Sequence, residues 1–249
     1  MLKISIITVC FNSDKTIKET IESVLEQDYA NIEYIIVDGG SEDRTISIIE
    51  SFGNLIYKII SEKDDGYYDA LNKGIALVSG GVVGILNSDD VLSDNGIVSS
   101  IVKSFENNQV DIVWGDVVFI DKKSKIRRYY QGAEISSLSF DYGIMPPHPS
   151  VFIRKYCYDN FGYYNTKYEF ADYDLLLRFI RLNKLKYLYL PKVFVKMKLG
   201  GISNNNIFSI IKLNREIYTI HKDNDLPISI INLFRKIPRR IFEVFNRPK

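Results

Sequence analysis

Val83-Gly84-Ile85-Leu86-Asn87-Ser88-Asp89-Asp90 decides the fold. An apolar run that includes a glycine and ends on turn residues reads as a buried central strand of a parallel sheet. In open α/β sheets ligands sit outside the carboxyl ends of the strands. Asp89 and Asp90 are therefore expected at the mouth of a ligand crevice. Two adjacent carboxylates repel unless a cation lies beside them. A hard divalent ion such as Mg²⁺ or Mn²⁺ fits oxygen ligands and commonly also holds substrate phosphates. The competing reading is a Ser/Asp turn that caps the next helix.

Working outward, the same unit repeats upstream. Ile4 to Val9 is a β-rich run that ends at Cys10-Phe11-Asn12-Ser13, and Thr16 to Gln27 carries Ile17, Ile21, Val24 and Leu25 at helical spacing. Ile32 to Val37 ends at Asp38-Gly39-Gly40-Ser41, with a helix through Ile46, Ile49 and Phe52 behind it. Leu55 to Ile60 ends at Ser61-Glu62-Lys63-Asp64-Asp65-Gly66, and Tyr68 to Val78 is a third helix. A βαβ series of this kind gives a parallel sheet with right-handed crossovers. Helix Ile97 to Glu106 and strand Ile112 to Val118 are expected to continue it. Beyond Asp121 the period breaks. An antiparallel strand is expected over Ile126 to Tyr130, a stiff loop over Met145 to Pro149, and a strand over Ser150 to Arg154. A helix should start at Asp172, two strands follow over Lys186 to Leu190 and Val193 to Leu199, and helices over Ile207 to His221 and Ile228 to Phe245 close the chain.

The composition narrows the function classes. The 249 residues are 46% apolar and 25% charged, an ordinary globular balance. A net charge of +1 offers no global field for nucleic acid. Cys10 and Cys157 form neither a disulfide framework nor a metal-ligand spacing. No apolar run reaches transmembrane length and no signal-peptide pattern is present, so a cytoplasmic protein is expected. Neither GxGxxG after the first strand nor a P-loop is found, which weakens dinucleotide and NTPase readings. Without a Gly-rich cradle, a metal is the plausible neutraliser of a diphosphate. Polar ends on four successive strands mark one rim as the site, and Asp38 there suits a hydrogen bond to a ribose or base, or else a plain turn.

Four segments carry a resemblance: Ser5 to Asn12, Ile35 to Thr45, Ser61 to Gly74 and Leu86 to Asp90. In this order they resemble glycosyltransferase family 2, and the likeness extends more loosely to Pro147–Arg154 and Ala171–Arg178. The resemblance implies an α/β protein of GT-A type. It would have a Rossmann-like, mostly parallel central sheet flanked by helices, a C-terminal acceptor-side subregion and basic C-terminal helices. It divides the chain into a nucleotide-sugar half (1–120), an acceptor-binding and catalytic half of the same domain (121–205) and C-terminal helices (206–249). It implies a metal-dependent inverting glycosyltransferase with Mn²⁺ or Mg²⁺. The donor would be a nucleoside-diphosphate sugar, UDP-sugars first, and the acceptor a saccharide or polyprenyl-linked saccharide of a surface polysaccharide. The rivals are a sugar-nucleotide nucleotidyltransferase, which needs a Gly-rich basic loop absent here, and a catalytically inactive nucleotide-sugar-binding protein.

Carried over residue by residue, the resemblance implies that Thr8, Phe11 and Asn12 line the base and ribose and that Asp38 bonds the base. It puts Asp69, Asn72 and Lys73 near the donor, Asp89 and Asp90 in the metal-binding region with Asp90 as the stronger ligand, and Asp172 as the catalytic base. The chain departs from the family pattern with Asn87 at the first acidic position of that region, Gly81 and Ala171. His148, between prolines, is a candidate for the metal, the diphosphate or the acceptor, or a structural histidine. Asp172 can also be read as a helix N-cap, with Asp174 two residues on in the first turn. Residues 234–249 hold six basic side chains against one acidic one, beside apolar residues. That pattern suits either peripheral contact with the inner face of the cell membrane or packing on protein.

Overall fold

The computed structural model describes residues 1–133, 135–199, 207–229 and 233. Its parallel half follows the apolar runs. Strand β1 (Ile4–Cys10) is wholly buried and is flanked by β2 (Ile32–Asp38) and β4 (Val82–Ile85), with β3 (Lys58–Ser61) beyond β2, all parallel. A strand buried on both faces must be apolar on both, and β1 serves two cores by alternation. Ile4 and Ile6 face α1 (Ile17–Leu25), α2 (Thr45–Glu50) and α4 (Ile97–Asn107). Ile7 and Val9 face α3 (Tyr67–Ala76), α5 (Lys155–Phe161) and α6 (Ala171–Leu176). Helix α3 lies so close to β1 that a Cβ on Gly74 would sit 2.7 Å from Ile7 Cγ2.

The second half differs from the expected continuation. Strand β6 (Ile112–Ile120) does not pair with β4. Antiparallel β8 (Val151–Arg154) runs between them, giving the order β3-β2-β1-β4-β8-β6-β9-β5 with β7 (Ile126–Tyr130) on β6. Phe152 of β8 packs over Gly84, where any side chain would collide with its ring. Strand β5 (Asp90–Leu92) was not foreseen. It is three residues long and exists by pairing with β9 (Tyr187–Lys198), Asp90 opposite Met197. The two expected final strands are one strand. Pro191 is absorbed where the β6–β9 register slips between Trp114 and Asp116, the kind of irregularity at which a sheet tolerates proline.

Helix α6 starts at Ala171 and continues into a π-helical turn, Leu177–Leu182. Helix α7 (Ile207–Asp223) packs on α6. The basic helix expected over 228–245 lies outside the described residues apart from 228, 229 and 233. No helix among the described residues is long and apolar enough to cross a membrane.

Candidate active site

The strand order reverses at β1. The chain moves from β1 outward to β2 and β3, then returns to β1's other side as β4. Such a switch point opens a crevice beyond the carboxyl ends of the two strands. The loops leaving β1 and β4 meet there through Ser13 Oγ and Ser88 Oγ, 2.9 Å apart.

On the β1–β2 side the polar residues are mostly engaged with the protein itself. Asn12 takes φ 47°, accepts the Glu42 amide at 3.0 Å and donates its own amide to Ser41 Oγ at 2.8 Å. Asp38 is fully buried. It accepts the Gly40 and Ser41 amides at 3.0 and 2.9 Å and the hydroxyls of Ser41 and Ser61 at 2.5 and 2.8 Å. The carboxylate thus builds the 38–41 turn, and a base would have to displace one of these donors to bond it. Gly39 leaves room for Asp64, whose Oδ2 would lie 2.5 Å from any added Cβ. Thr8 is enclosed in the sheet against the Tyr34 hydroxyl at 3.0 Å and presents nothing to the rim. Phe11, 61% exposed, is the open apolar surface of this edge.

Helix α3 supplies the next wall. Lys73 lies 2.9 Å from Glu62 and 3.2 Å from Asp69, and those two hydrogen bonds raise its pKa. Asn72 points elsewhere than the donor rim. Its amide clamps the Tyr164 backbone from both sides, Nδ2 to the carbonyl at 2.9 Å and Oδ1 from the amide at 3.0 Å.

Beyond β4, Asp89 is half-buried and Asp90 wholly buried at the start of β5. Burial, then the neighbouring Asp89, pushes Asp90 up to about 8. Asp89 is raised too, by burial, with Lys198 opposing. Asp90 Oδ2 accepts Asn87 Nδ2 at 2.9 Å, and Asn87 Oδ1 accepts the Tyr67 hydroxyl at 2.6 Å. Asp90 Oδ1 has no partner among the described residues. An orphaned carboxylate oxygen that resists ionisation is one that a proton or a cation would satisfy. Among the described residues no three His, Cys, Asp or Glu converge to hold a metal. A pair suffices for Mg²⁺ or Mn²⁺ when substrate phosphates complete the shell. The donor set fits such an ion, with Asp89 as the accessible carboxylate and Asp90 behind it.

Asp172 lies across a small pocket walled by Tyr67, Tyr68, Leu71, Asn87, His148 and Tyr164. It is 8% exposed. Its Oδ1 accepts the Tyr68 hydroxyl at 3.1 Å and the Tyr173 amide at 2.9 Å, and Oδ2 meets His148 Nδ1 at 3.0 Å. Tyr68 stacks on Tyr164 at 5.3 Å, and its burial, then the charge of Asp172, raises its pKa and keeps the hydroxyl a donor. His148 thus lies against Asp172. Asp172 is not the N-cap. Phe170 holds that position, and the amides of Glu169 and Phe170 are taken by Glu216 of α7. Asp174 lies in the first turn of α6, as expected, and is buried against Arg178, Oδ2 to Nε 2.9 Å.

Sequence reasoning gave no role to Tyr67 and Tyr68. A tyrosine pair opening a helix just after Gly66, inside a motif already singled out, was the available signal.

The family model described as "Glycosyl transferase family 2" matches residues 5–179. A "PGL/p-HBAD biosynthesis glycosyltransferase" of Mycobacterium bovis (strain BCG / Pasteur 1173P2) is 30% identical over 206 residues, 80% of this chain and 78% of that protein. Among solved structures, S. aureus TarS superposes with a TM-score of 0.71 at 18% identity, over 95% of this chain and 72% of that one. Its structure in complex with UDP-GlcNAc gives 0.68 at 17%, covering 98% and 73%. Mannosyltransferase PcManGT from Pyrobaculum calidifontis, in complex with GDP-Man and Mn²⁺, gives 0.66 at 14%, covering 90% and 64%. The structural likenesses are likenesses of fold.

Proposed function

The chain belongs to glycosyl transferase family 2 and is a glycosyltransferase with the GT-A fold, and from that premise we propose that it transfers a sugar, with inversion, from a nucleoside diphosphate to a hydroxyl of a saccharide or polyprenyl-linked acceptor in surface-polysaccharide assembly. UDP-sugars are the first donors to test, since a fold neighbour was solved with UDP-GlcNAc, followed by GDP-sugars, since another was solved with GDP-Man. The observation that supports the reading is the link between two unlike carboxylate sites: Asn87, which donates to the Asp90 carboxylate, lines the same pocket as Asp172. Asp90 keeps one buried oxygen without a partner among the described residues, while Asp172 accepts from Tyr68.

The division of labour follows from chemistry. Bound Mn²⁺ or Mg²⁺ supplies positive charge to the leaving diphosphate. Asp89 and Asp90 would hold that ion, and Asn87 fixes the Asp90 carboxylate through its amide. Phe11 offers a face for the base, while Asn12 and Asp38 shape the loops around it. Asp69 and Lys73 complete the α3 wall on the donor side, where Lys73 would exchange its pairing with Glu62 and Asp69 for phosphate, while Asn72 braces Tyr164 behind them. The acceptor hydroxyl needs its proton removed as it attacks the anomeric carbon, and a positioned base does this. Asp172 marks the end of the pocket where that happens.

The test is Mn²⁺-dependent thermal stabilisation across UDP-, GDP- and dTDP-sugars, followed by calorimetry with the best donor. Asp90→Ala and Asp89→Ala should each abolish Mn²⁺-dependent donor binding with the fold intact. Unchanged affinity in both would remove the metal assignment. A further part of the proposal is contact of residues 234–249 with an anionic membrane surface. Cosedimentation with anionic liposomes at low salt should be lost on deleting residues 228–249.

A further inference from the structure

The head of α3 touches both carboxylate sites. Gly66 opens the helix at φ 113°, and Tyr67 and Tyr68 follow it as the first two helical residues. Neighbouring residues on a helix point about 100° apart, so two adjacent side chains reach to different sides. Their rings meet edge to face, 5.1 Å between centroids, and both line the pocket that Asn87 and Asp172 border.

Each hydroxyl goes to one site. That of Tyr67 donates to Asn87 Oδ1 at 2.6 Å, and Asn87 Nδ2 donates to Asp90 Oδ2 at 2.9 Å. That of Tyr68 donates to Asp172 Oδ1 at 3.1 Å and accepts the Asp172 amide at 3.4 Å. Each arm therefore occupies one oxygen of its carboxylate. On Asp90 the other oxygen, Oδ1, is buried and has no partner among the described residues. On Asp172 the other oxygen, Oδ2, lies 3.0 Å from His148 Nδ1. The Tyr67 arm has a fixed direction. An ionised carboxylate only accepts, so Asn87 must turn its NH₂ to Asp90, and its carbonyl oxygen then needs the donor that Tyr67 supplies. An aspartate at 87 would set one acceptor against another, so asparagine is the residue type that bridges a hydroxyl to a carboxylate.

We infer that Tyr67 and Tyr68 are positioning residues, one for each carboxylate site: Tyr67, through Asn87, fixes Asp90 for a cation, and Tyr68 fixes Asp172 for the acceptor's proton. The inference rests on the glycosyl-transfer reading above. Outer partners of this kind orient the group that does the chemistry, and losing one costs about 10–100-fold in metal affinity or activity.

Tyr67→Phe and Tyr68→Phe each remove one oxygen and keep the ring. Two readouts separate the arms. One is Mn²⁺ affinity by calorimetry, in the presence of the nucleoside diphosphate (UDP, GDP or dTDP) of the donor that stabilises the protein best. The other is kcat for hydrolysis of that donor at saturating Mn²⁺, with water standing in for the acceptor. Tyr67→Phe should weaken Mn²⁺ binding by about 10–100-fold with the smaller change in kcat. Tyr68→Phe should lower kcat by about 10–100-fold with wild-type Mn²⁺ affinity. In an Asn87→Ala background, Tyr67→Phe should change Mn²⁺ affinity no further, because its path to Asp90 is already cut. A merely structural role would move both readouts together in both variants. Wild-type Mn²⁺ affinity in Tyr67→Phe, wild-type kcat in Tyr68→Phe, or the same readout lost in both would overturn the inference. Failure of the transfer reading looks different: the wild-type protein would then neither bind a nucleotide sugar with Mn²⁺ nor release the sugar from it.

Discussion

Two regions of the molecule hold carboxylates out of water by opposite means. At the β1–β2 rim, Asp38 is saturated by donors from its own turn and from the neighbouring strand end at Ser61. The turn and the carboxylate define each other, and little charge is left to spend on a ligand. On the far side, Asp172 is held by a tyrosine 104 residues away and by a half-exposed histidine. Its setting depends on the tertiary structure. Between them Asp90 keeps one oxygen unsatisfied among the described residues. Saturated carboxylates build the frame. Those left short of partners, or partnered by groups that can move a proton, are where chemistry is available.

Exchanging charge for amide sharpens the contrast most at Asp172. Asp172→Asn should lower turnover by about 10²–10⁴ with melting temperature and donor binding nearly unchanged, because the amide oxygen still accepts from Tyr68 and the Tyr173 amide. A turnover assay beside a thermal melt decides it, and wild-type turnover would dissolve the distinction between the two sides. Asp174, two residues on, should behave as a frame residue. Asp174→Ala leaves the part-buried Arg178 without its charge partner, although that guanidinium still bonds the carbonyls of Phe161, Gly162 and Tyr163. Breaking a buried pair this way costs about 3–5 kcal/mol, read as a lower denaturant midpoint.

Asn72 tests how far the frame reaches across the pocket. Asn72→Ala releases both bonds to Tyr164, which stacks on Tyr68, which bonds Asp172. We expect a stability loss of about 1–3 kcal/mol and a fall in kcat larger than the change in donor KM. A donor-binding defect with unchanged kcat would place Asn72 on the donor side instead.

The smallest effect is a pH dependence behind Asp172. His221 is fully buried and bonds the Tyr173 hydroxyl through Nε2 at 2.8 Å. Burial pushes its pKa below the ordinary histidine value of 6.5. The unfolded chain therefore binds this proton at a higher pH than the folded chain does. Stability is fully present above the unfolded value and falls as pH drops through it towards the folded value. Denaturant midpoints from pH 7.5 to 5 should decline, and His221→Gln should flatten that decline.

The order of the first four strands and three helices was legible because each strand is an apolar run stopped by a turn cluster, and each helix shows its buried face at helical spacing. Strand β5 was not legible, since Asp90-Val91-Leu92 is too short to carry a period and forms only through its pairing with β9. The insertion of β8 between β4 and β6 was hidden for the same reason: pairing partners are chosen by the folded neighbours, as when Phe152 finds Gly84. The residue types of the site were readable and their duties less so. Asp38, Asn72 and Thr8 carry polar atoms that could serve a ligand or the protein, and only their partners tell which. The contact of His148 with Asp172 joins a proline loop to a helix 24 positions later, and nothing local announces it.

Helix α7 fastens α6 from behind. Glu216 takes the two amides at the head of α6, His221 bonds Tyr173, and Asn224 reaches Asp174 at 3.3 Å. This sets where the chain can be shortened. A cut just after Asn224 keeps every one of these ties, whereas a cut before Glu216 strips the helix that carries Asp172 of its borrowed cap. Such a shortened protein would still hold its nucleotide-side sheet together. It would lose the alignment of Asp172 first.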